Sequence, residues 1–495
     1  MKNEDEKDKQ SLNDLQPKKK KRGISTFQYI ISLIIIAIVA SGVTVVTYEM
    51  THREKLSSDS SVSSLQSVDY LNELIKLGYI DKVDEQKLVD GALKGMVDAL
   101  DDPYSTYFSA TEAKDFDDSI SGSFEGIGAT MTLEDGLPTI AEPPIKDSPA
   151  EKAQLKAGDK IIKVDGKDVK GKDLSDVVSK VRGEKGTVVK LEMMRDKEPF
   201  NVEIKRDKIP MESVKATLDK KNKEVGYIQV TSFNETTSDE FNQAVSKLEK
   251  EGAKGFIIDV RGNPGGVLPE VEKMTSRFLE NGETIVQFEG RDKEKTDDVA
   301  SKELDGGKKI KQPTVLLTDE NSASASEIMA AALKDTGRYD IIGTKTFGKG
   351  TVQSLIPLGD QGEVKLTIKK WLTPKGEWIH KKGVEPTIEV AYPEYLNHRM
   401  IDMSKTYKEG MISEDVTIIN DYLNALGYQT ETKSDVYTTE TKTAVSEFQD
   451  KEGLGVTGEV NKETAQRLVE AILNHWKEND SQYLKGLEVI QEKLK

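Results

Sequence analysis

The sequence predicts a multidomain chain of mixed α/β and α+β class. It combines an N-terminal transmembrane helix, a β-rich domain, an α/β core and a small C-terminal helical module. Three observations predict this. An uncharged apolar span, "FQYIISLIIIAIVASGVTVVTY", lies near the N-terminus. Strand-like and helix-like segments alternate from 208 to 395, which favours a largely parallel sheet. Apolar residues recur at helical spacing from 411 to 475.

Composition bounds the chemistry. The 495 residues are 36% hydrophobic and 32% charged, which suits several folded domains. A net charge of −16 argues against nucleic-acid binding, which needs basic patches to displace counterions. The absence of cysteine excludes disulfides, thiol catalysis and Cys-ligated zinc. The four histidines, His52, His380, His398 and His475, are scattered without an HExxH, so no metal is expected.

Residues 1–26 are polar and basic, with Lys18, Lys19, Lys20, Lys21 and Arg22 shortly before the span Phe27–Tyr48. At about 1.5 Å per residue that span crosses a hydrocarbon core of about 30 Å. Basic residues before it predict a cytoplasmic N-terminus, a single pass through the cell membrane and an extracellular remainder. A cleaved signal peptide is the rival, because Ala40, Ser41 and Gly42 are small. Residues 49–69, with the serine-rich stretch Ser57–Ser67, read as a linker.

Helical spacing of Leu71, Leu74, Ile75, Leu88, Leu93, Met96, Val97 and Leu100 marks 70–117 as a helical region. Short branched runs such as "GIGATMTL", "DKIIKVDG" and "TVVKLEMMR" mark 118–207 as β-rich. Within it, Asp173–Val181 reads as a helix with Val177, Val178 and Val181 on one face. From 208 to 395 strands and helices alternate, so catalytic groups are expected at carboxyl ends of strands. Residues 411–475 form the helical module, and 476–495 read as an exposed charged tail.

Three stretches carry chemistry. In "TDENSASASEIMAAALKD" a strand ends near Asp319 and a helix begins near Ser324. A nucleophile there would gain from free helix N–H groups, with Ala325 the natural first oxyanion donor. The bland reading is that Ser322, Ser324 and Ser326 are small residues packing a turn. In "GTKTFGKGTVQ" the spacing of Gly343, Gly348 and Lys349 approaches a phosphate-binding loop, but Gly350 stands where Ser or Thr must hold magnesium. A lysine can instead serve a serine as base if burial away from carboxylates keeps it neutral. No acid lies between Gly343 and Leu358, although a solvated loop lysine would look the same. In "DVRGNPGG" Gly265 or Gly266 is placed to donate a second oxyanion N–H.

Together "NSASASEI", "TFGKGTVQ" and "DVRGNPGG" closely resemble the carboxy-terminal processing peptidases, over residues 70–395. The resemblance implies a serine endopeptidase with a Ser/Lys dyad and an inserted PDZ domain. It places the nucleophile at Ser324, the base at Lys349 and the lysine-orienting residue at Gln353. Asp335 matches a third member sometimes assigned in this family. A position eleven residues along a helix puts it ~16 Å from Ser324, against direct participation. The 118–207 segment resembles a PDZ domain, with Gly126, Ile127, Gly128 and Ala129 as its carboxylate-binding loop beside a groove lined by Val177, Val178 and Val181. Residues 411–475, with "AVSEFQ" and "GLGVTGEV", resemble a peptidoglycan-binding module. The expectation is a membrane-anchored endopeptidase that recognises protein C-termini, binds peptidoglycan and requires no cofactor. The 70–100 helices are candidates for a homodimer contact, as the resemblance implies. The alternative is a non-catalytic scaffold using its PDZ and wall-binding modules alone.

Overall fold

The computed structural model describes residues 65–495. The expected cytoplasmic tail, the transmembrane span Phe27–Tyr48 and most of the linker lie outside the described residues. Among the described residues no helix is long and apolar enough to cross a membrane.

The described residues fall into two units, the first ending at Leu93 and the second running from Lys94 to Lys495. In the first, α1 (Gln66–Gly78) starts inside the stretch read as linker. Helix α2 (Glu85–Asp98) follows and runs across the boundary. Both are amphipathic, and neither has a buried residue.

The second unit opens with β1 (Thr106–Phe108) and α3 (Ala110–Ser121). Ser109 and Glu112 form a reciprocal capping box that starts α3, and Gly122, at φ 68°, ends it. A two-stranded ladder of Ser123–Gly126 against Asp207–Pro210 then brackets the β-rich domain. That domain is an antiparallel sheet in the order β2 (Met131–Glu134), β3 (Leu137–Ile140), β4 (Lys160–Val164), β5 (Val188–Arg195), β6 (Glu198–Lys205). Helix α4 (Leu174–Val181) packs on it. Its Val177 and Val181 are buried in the domain's own core with Ile140, Ile161, Val189 and Met193. This corrects the reading of both valines as groove residues; Val178 alone of the three remains partly exposed.

The α/β core is a six-stranded sheet of β7 (Val214–Leu218), β8 (Val225–Val230), β9 (Gly255–Asp259), β12 (Thr314–Thr318), β13 (Asp340–Gly343) and β16 (Ile388–Glu389), in that order. Only β7 is antiparallel to its neighbour. Strands β9 and β12 are buried throughout, because both faces are covered. Phe256, Ile258 and Leu316 face a core shared with α5 (Thr237–Lys250), α6 (Leu268–Ser276) and α7 (Ala325–Asp335). Ile257, Val315 and Leu317 point the other way, as period-two alternation requires. A second, antiparallel sheet carries β1, β10 (Thr284–Glu289), β11 (Lys295–Val299), β14 (Thr351–Pro357) and β15 (Glu363–Leu372).

The C-terminal module is α8 (Glu414–Ala425), α9 (Thr439–Lys451) and α10 (Lys462–Glu478), with its own core around Ile419, Leu423, Phe448 and Leu468. That core also takes in Ile401 and Tyr407, so the module begins before residue 411. The stretch read as an exposed tail is instead α11 (Ser481–Lys493), whose Val489 and Ile490 bury against Ile257, Val315 and Leu317. Gly486 also faces the sheet: a Cβ there would be in ordinary contact, at 3.4 Å, with Leu317 and Val315.

Candidate active site

Three carboxyl-terminal strand ends converge: β9 leads into Arg261–Gly266, β12 into Asp319–Ser324, and β13 into Thr344–Gly350. The first two loops are bolted together by side chains. Ser322 Oγ donates to Val260 O at 2.8 Å, and Ser326 Oγ donates to Asn263 O at 3.0 Å. Both serines are fully buried, so they are structural. Ser324, between them, is the partly exposed one and caps α7 with φ 53° and ψ −111°. A non-glycine residue held at that φ is strained, as nucleophile turns often are.

Gly265 packs directly on this residue. A Cβ at 265 would come within 2.8 Å of Ser324 Cβ and 3.0 Å of Ala325 N. The Gly265 N–H is donated to Asn263 Oδ1. The N–H groups of Gly266 and Ala325 have no backbone acceptor among the described residues. Asn263, fully buried, fixes the turn further by donating to Val230 O at 2.9 Å. Arg261, at the start of the turn, pairs with Asp259 and with Asp480, the N-cap of α11.

Glu327, in the first turn of α7, joins the second loop to the third. Its Oε2 accepts from the N–H of Ser324 and of Lys349, both at 2.8 Å. Its Oε1 accepts from the Gly348 N–H and the Thr346 hydroxyl, both at 2.6 Å. Thr346 Oγ1 itself accepts from Val384 N, so its proton points at Glu327. Four donors and no acceptor mark an ionised carboxylate. Burial pushes its pKa up, and the four donors oppose that shift. Sequence reasoning missed Glu327, although Ser324-x-x-Glu327 is a capping-box pattern.

Lys349 is held at its backbone by Trp371 Nε1, which donates to Lys349 O at 2.8 Å. Its Nζ lies 5.1 Å from the centre of the Tyr104 ring and donates no hydrogen bond among the described residues. Burial holds its pKa below the usual lysine range, and the positive charge of Lys365 adds to this. Glu327 and Asp102 act the other way. Gln353, on β14, donates to Thr351 Oγ1 at 3.0 Å and Thr367 Oγ1 at 3.1 Å, leaving its Oε1 to accept. His380 stacks on Trp378 and accepts from Gly350 N through Nδ1. Asp335, at the far end of α7, accepts from Lys375 N and pairs with Lys375 Nζ at 3.6 Å. It is not brought to Ser324 or Lys349.

In the β-rich domain, Gly126 ends the bracketing ladder and Ile127 is buried, while Gly128 has φ 79°. A Cβ at 128 would lie 2.4 Å from Ser148 Cβ, so only glycine fits. The N–H groups of Ile127, Gly128 and Ala129 have no backbone acceptor among the described residues. The edge strand β2 lies beside α4.

Comparison with known proteins adds the following. Residues 224–390 match the model for peptidase family S41, and 126–205 match that for a PDZ domain. Residues 413–468 match a peptidoglycan binding domain, and 35–112 the N-terminal domain of the activating protease CtpB. The carboxy-terminal processing protease CtpA of Bacillus subtilis (strain 168) is 43% identical over 464 residues, 93% of this chain and 98% of that protein. CtpB of the same organism is 41% identical over 412 residues, 83% of this chain and 85% of that protein. A probable CtpA-like serine protease of Staphylococcus aureus (strain COL) is 36% identical over 471 residues, 94% of this chain and 93% of that protein.

Proposed function

We propose, from the premise that the chain belongs to the carboxy-terminal processing serine proteases of peptidase family S41, that Ser324 is its nucleophile and Lys349 its general base. The observation that carries this is the Glu327 carboxylate, which holds the N–H groups of both residues on one oxygen. The backbones of two residues from different loops are thereby tied together, with no carboxylate hydrogen-bonded to the Lys349 amine among the described residues.

Neutral Lys349 takes the Ser324 proton as Oγ attacks the scissile carbonyl. The tetrahedral oxyanion is held by the N–H groups of Ala325 and Gly266; Gly265, already bonded to Asn263, shapes the turn. Donors fixed by the backbone need no reorganisation as charge develops. Collapse expels the amine, which leaves with the proton from Lys349. A water deprotonated by the same lysine then frees Ser324. Gln353 Oε1 orients the ammonium between steps, and Asp335 stays outside the chemistry.

The PDZ domain would capture substrate by presenting the N–H groups of Ile127, Gly128 and Ala129 to a terminal carboxylate, with the peptide added as a strand along β2. The peptidoglycan-binding domain would hold the enzyme at the wall. The Phe27–Tyr48 span supports anchoring in the cell membrane with the protease outside.

Ser324→Ala, Lys349→Ala and the double variant test the dyad against a fluorescent casein. Each single variant is expected to lose at least about a thousandfold in kcat, and the double variant to be hardly worse, as for residues that act as a unit. Activity retained in Lys349→Ala would refute the assignment. Loss in His380→Ala with Lys349→Ala intact would move the base to His380.

A further inference from the structure

The turn before β1 has no part in the chemistry above, yet it presents a side chain to the reacting amine. Asp102 accepts from the Tyr104 N–H at 3.1 Å and the Ser105 hydroxyl at 2.7 Å. Ser105 Oγ in turn accepts from Thr367 N on β15. Thr367 also receives Gln353 through its hydroxyl. The turn is thus pinned to β15, the strand that also receives the lysine-orienting glutamine of β14. It holds the Tyr104 ring over Lys349 Nζ, 5.1 Å from the ring centre. Packed with Tyr104 are His380, edge-on at 6.0 Å, and Trp378, stacked on His380 at 5.0 Å.

We propose that Tyr104 is a further functional residue of this site, closing Lys349 Nζ off from water and receiving the ammonium that forms when Lys349 takes the Ser324 proton. This rests on the Ser324/Lys349 reading. The ring performs two tasks with opposite consequences. Its apolar bulk keeps water from the amine, which favours the neutral base. Its negative π face stabilises the cation once the proton arrives. A carboxylate in its place would favour the ammonium and so raise the pKa of the base. The other charged groups about the amine are Glu327 from α7, Lys365 from β15 and Asp102 from the same turn. His380, the remaining titratable group packed on the tyrosine ring, meets it edge-on at 6.0 Å.

The two tasks are separable by substitution. Tyr104→Ala removes both and admits water, so the lysine should titrate higher, by about one pH unit. Tyr104→Leu keeps an apolar cover and removes the π face, so the lysine should titrate lower, by roughly half to one unit. Tyr104→Phe keeps the ring and should match the wild type. The experiment is the pH profile of kcat/KM of the full chain on a fluorescent casein, whose acid limb reports the base in the free enzyme. Thermal melts establish that each variant is folded. The expected order of the acid limb, from high to low pH, is Ala, Phe, Leu, an order that loosened packing alone would not produce. Any other order overturns the proposal. If Tyr104→Ala does not fold, the Phe and Leu variants decide it: Leu below Phe supports it, and Leu at or above Phe overturns it. Lys349→Ala, run alongside, separates the two claims, since wild-type activity there would remove the dyad itself rather than the role of Tyr104.

Discussion

Lys349 is expensive to keep where it is. Its amine is drawn out of water without a carboxylate bonded to it, so folding disfavours the charged form relative to the unfolded chain. The unfolded chain, with an ordinary lysine, binds that proton up to about pH 10.4. Below the lowered folded pKa the full penalty is present; between the two values it fades as pH rises. Lys349→Met, of similar shape and without charge, should therefore be more stable than the wild type at pH 7 while inactive. The gain should shrink by pH 10, as urea unfolding at the two pH values would show. Sites that trade stability for reactivity behave this way. Ser324, Lys349 and Gln353 were picked out in the sequence only through the family resemblance that their motifs carry; pattern alone left Ser324 a turn residue and Lys349 a loop lysine. Tyr104 was not legible, because it lies more than two hundred residues away and only the fold brings its ring to the amine. Glu327 was half legible: the capping pattern was there, but its second task, holding Gly348 and Lys349, is tertiary.

At the level of elements, α11 was the largest misreading. Lys485, Glu488, Glu492 and Lys493 made the tail look solvated. Yet Tyr483, Leu487, Val489 and Ile490 lie on one side of the helix and cover the second face of the parallel sheet. Charge content hid an amphipathic pattern that i, i+4 counting would have found. Ile490 is fully buried, and its Cγ2 would lie 2.6 Å from a Cβ at Gly255. Ile490→Asp buries an unpaired carboxylate there and should destabilise the core by about 3 kcal/mol or more. Urea unfolding followed by the fluorescence of Trp371 and Trp378, both beside the Lys349 loop, checks this. Unchanged stability would mean that α11 does not seal the sheet. The strand–helix alternation of the core, by contrast, was readable, since β9 and β12 are buried on both faces and so appear as continuous apolar runs.

On the scale of the whole molecule, both accessory domains are insertions. The PDZ domain interrupts the protease between α3 and β7, and the peptidoglycan-binding domain interrupts it between β16 and α11. The latter has its own core, which includes Ile401 and Tyr407; Tyr407 pairs with Val460. Residues 399–478 expressed alone should fold and sediment with purified cell walls. A fragment 411–475 should melt lower, because it lacks both side chains. Circular dichroism and a wall-pelleting assay measure the two outcomes, and a folded fragment left in the supernatant would remove the wall-binding role. Activation of Ser324 by Lys349 can be measured more directly. A fluorophosphonate labels a serine only when its hydroxyl is activated, so labelling of the full chain is followed against pH, with the adduct mapped by mass spectrometry. The expected result is an adduct on Ser324 whose rate of formation rises through an apparent pKa below that of an ordinary lysine, and folded Lys349→Ala protein that is not labelled. Labelling of Lys349→Ala at the wild-type rate would contradict it.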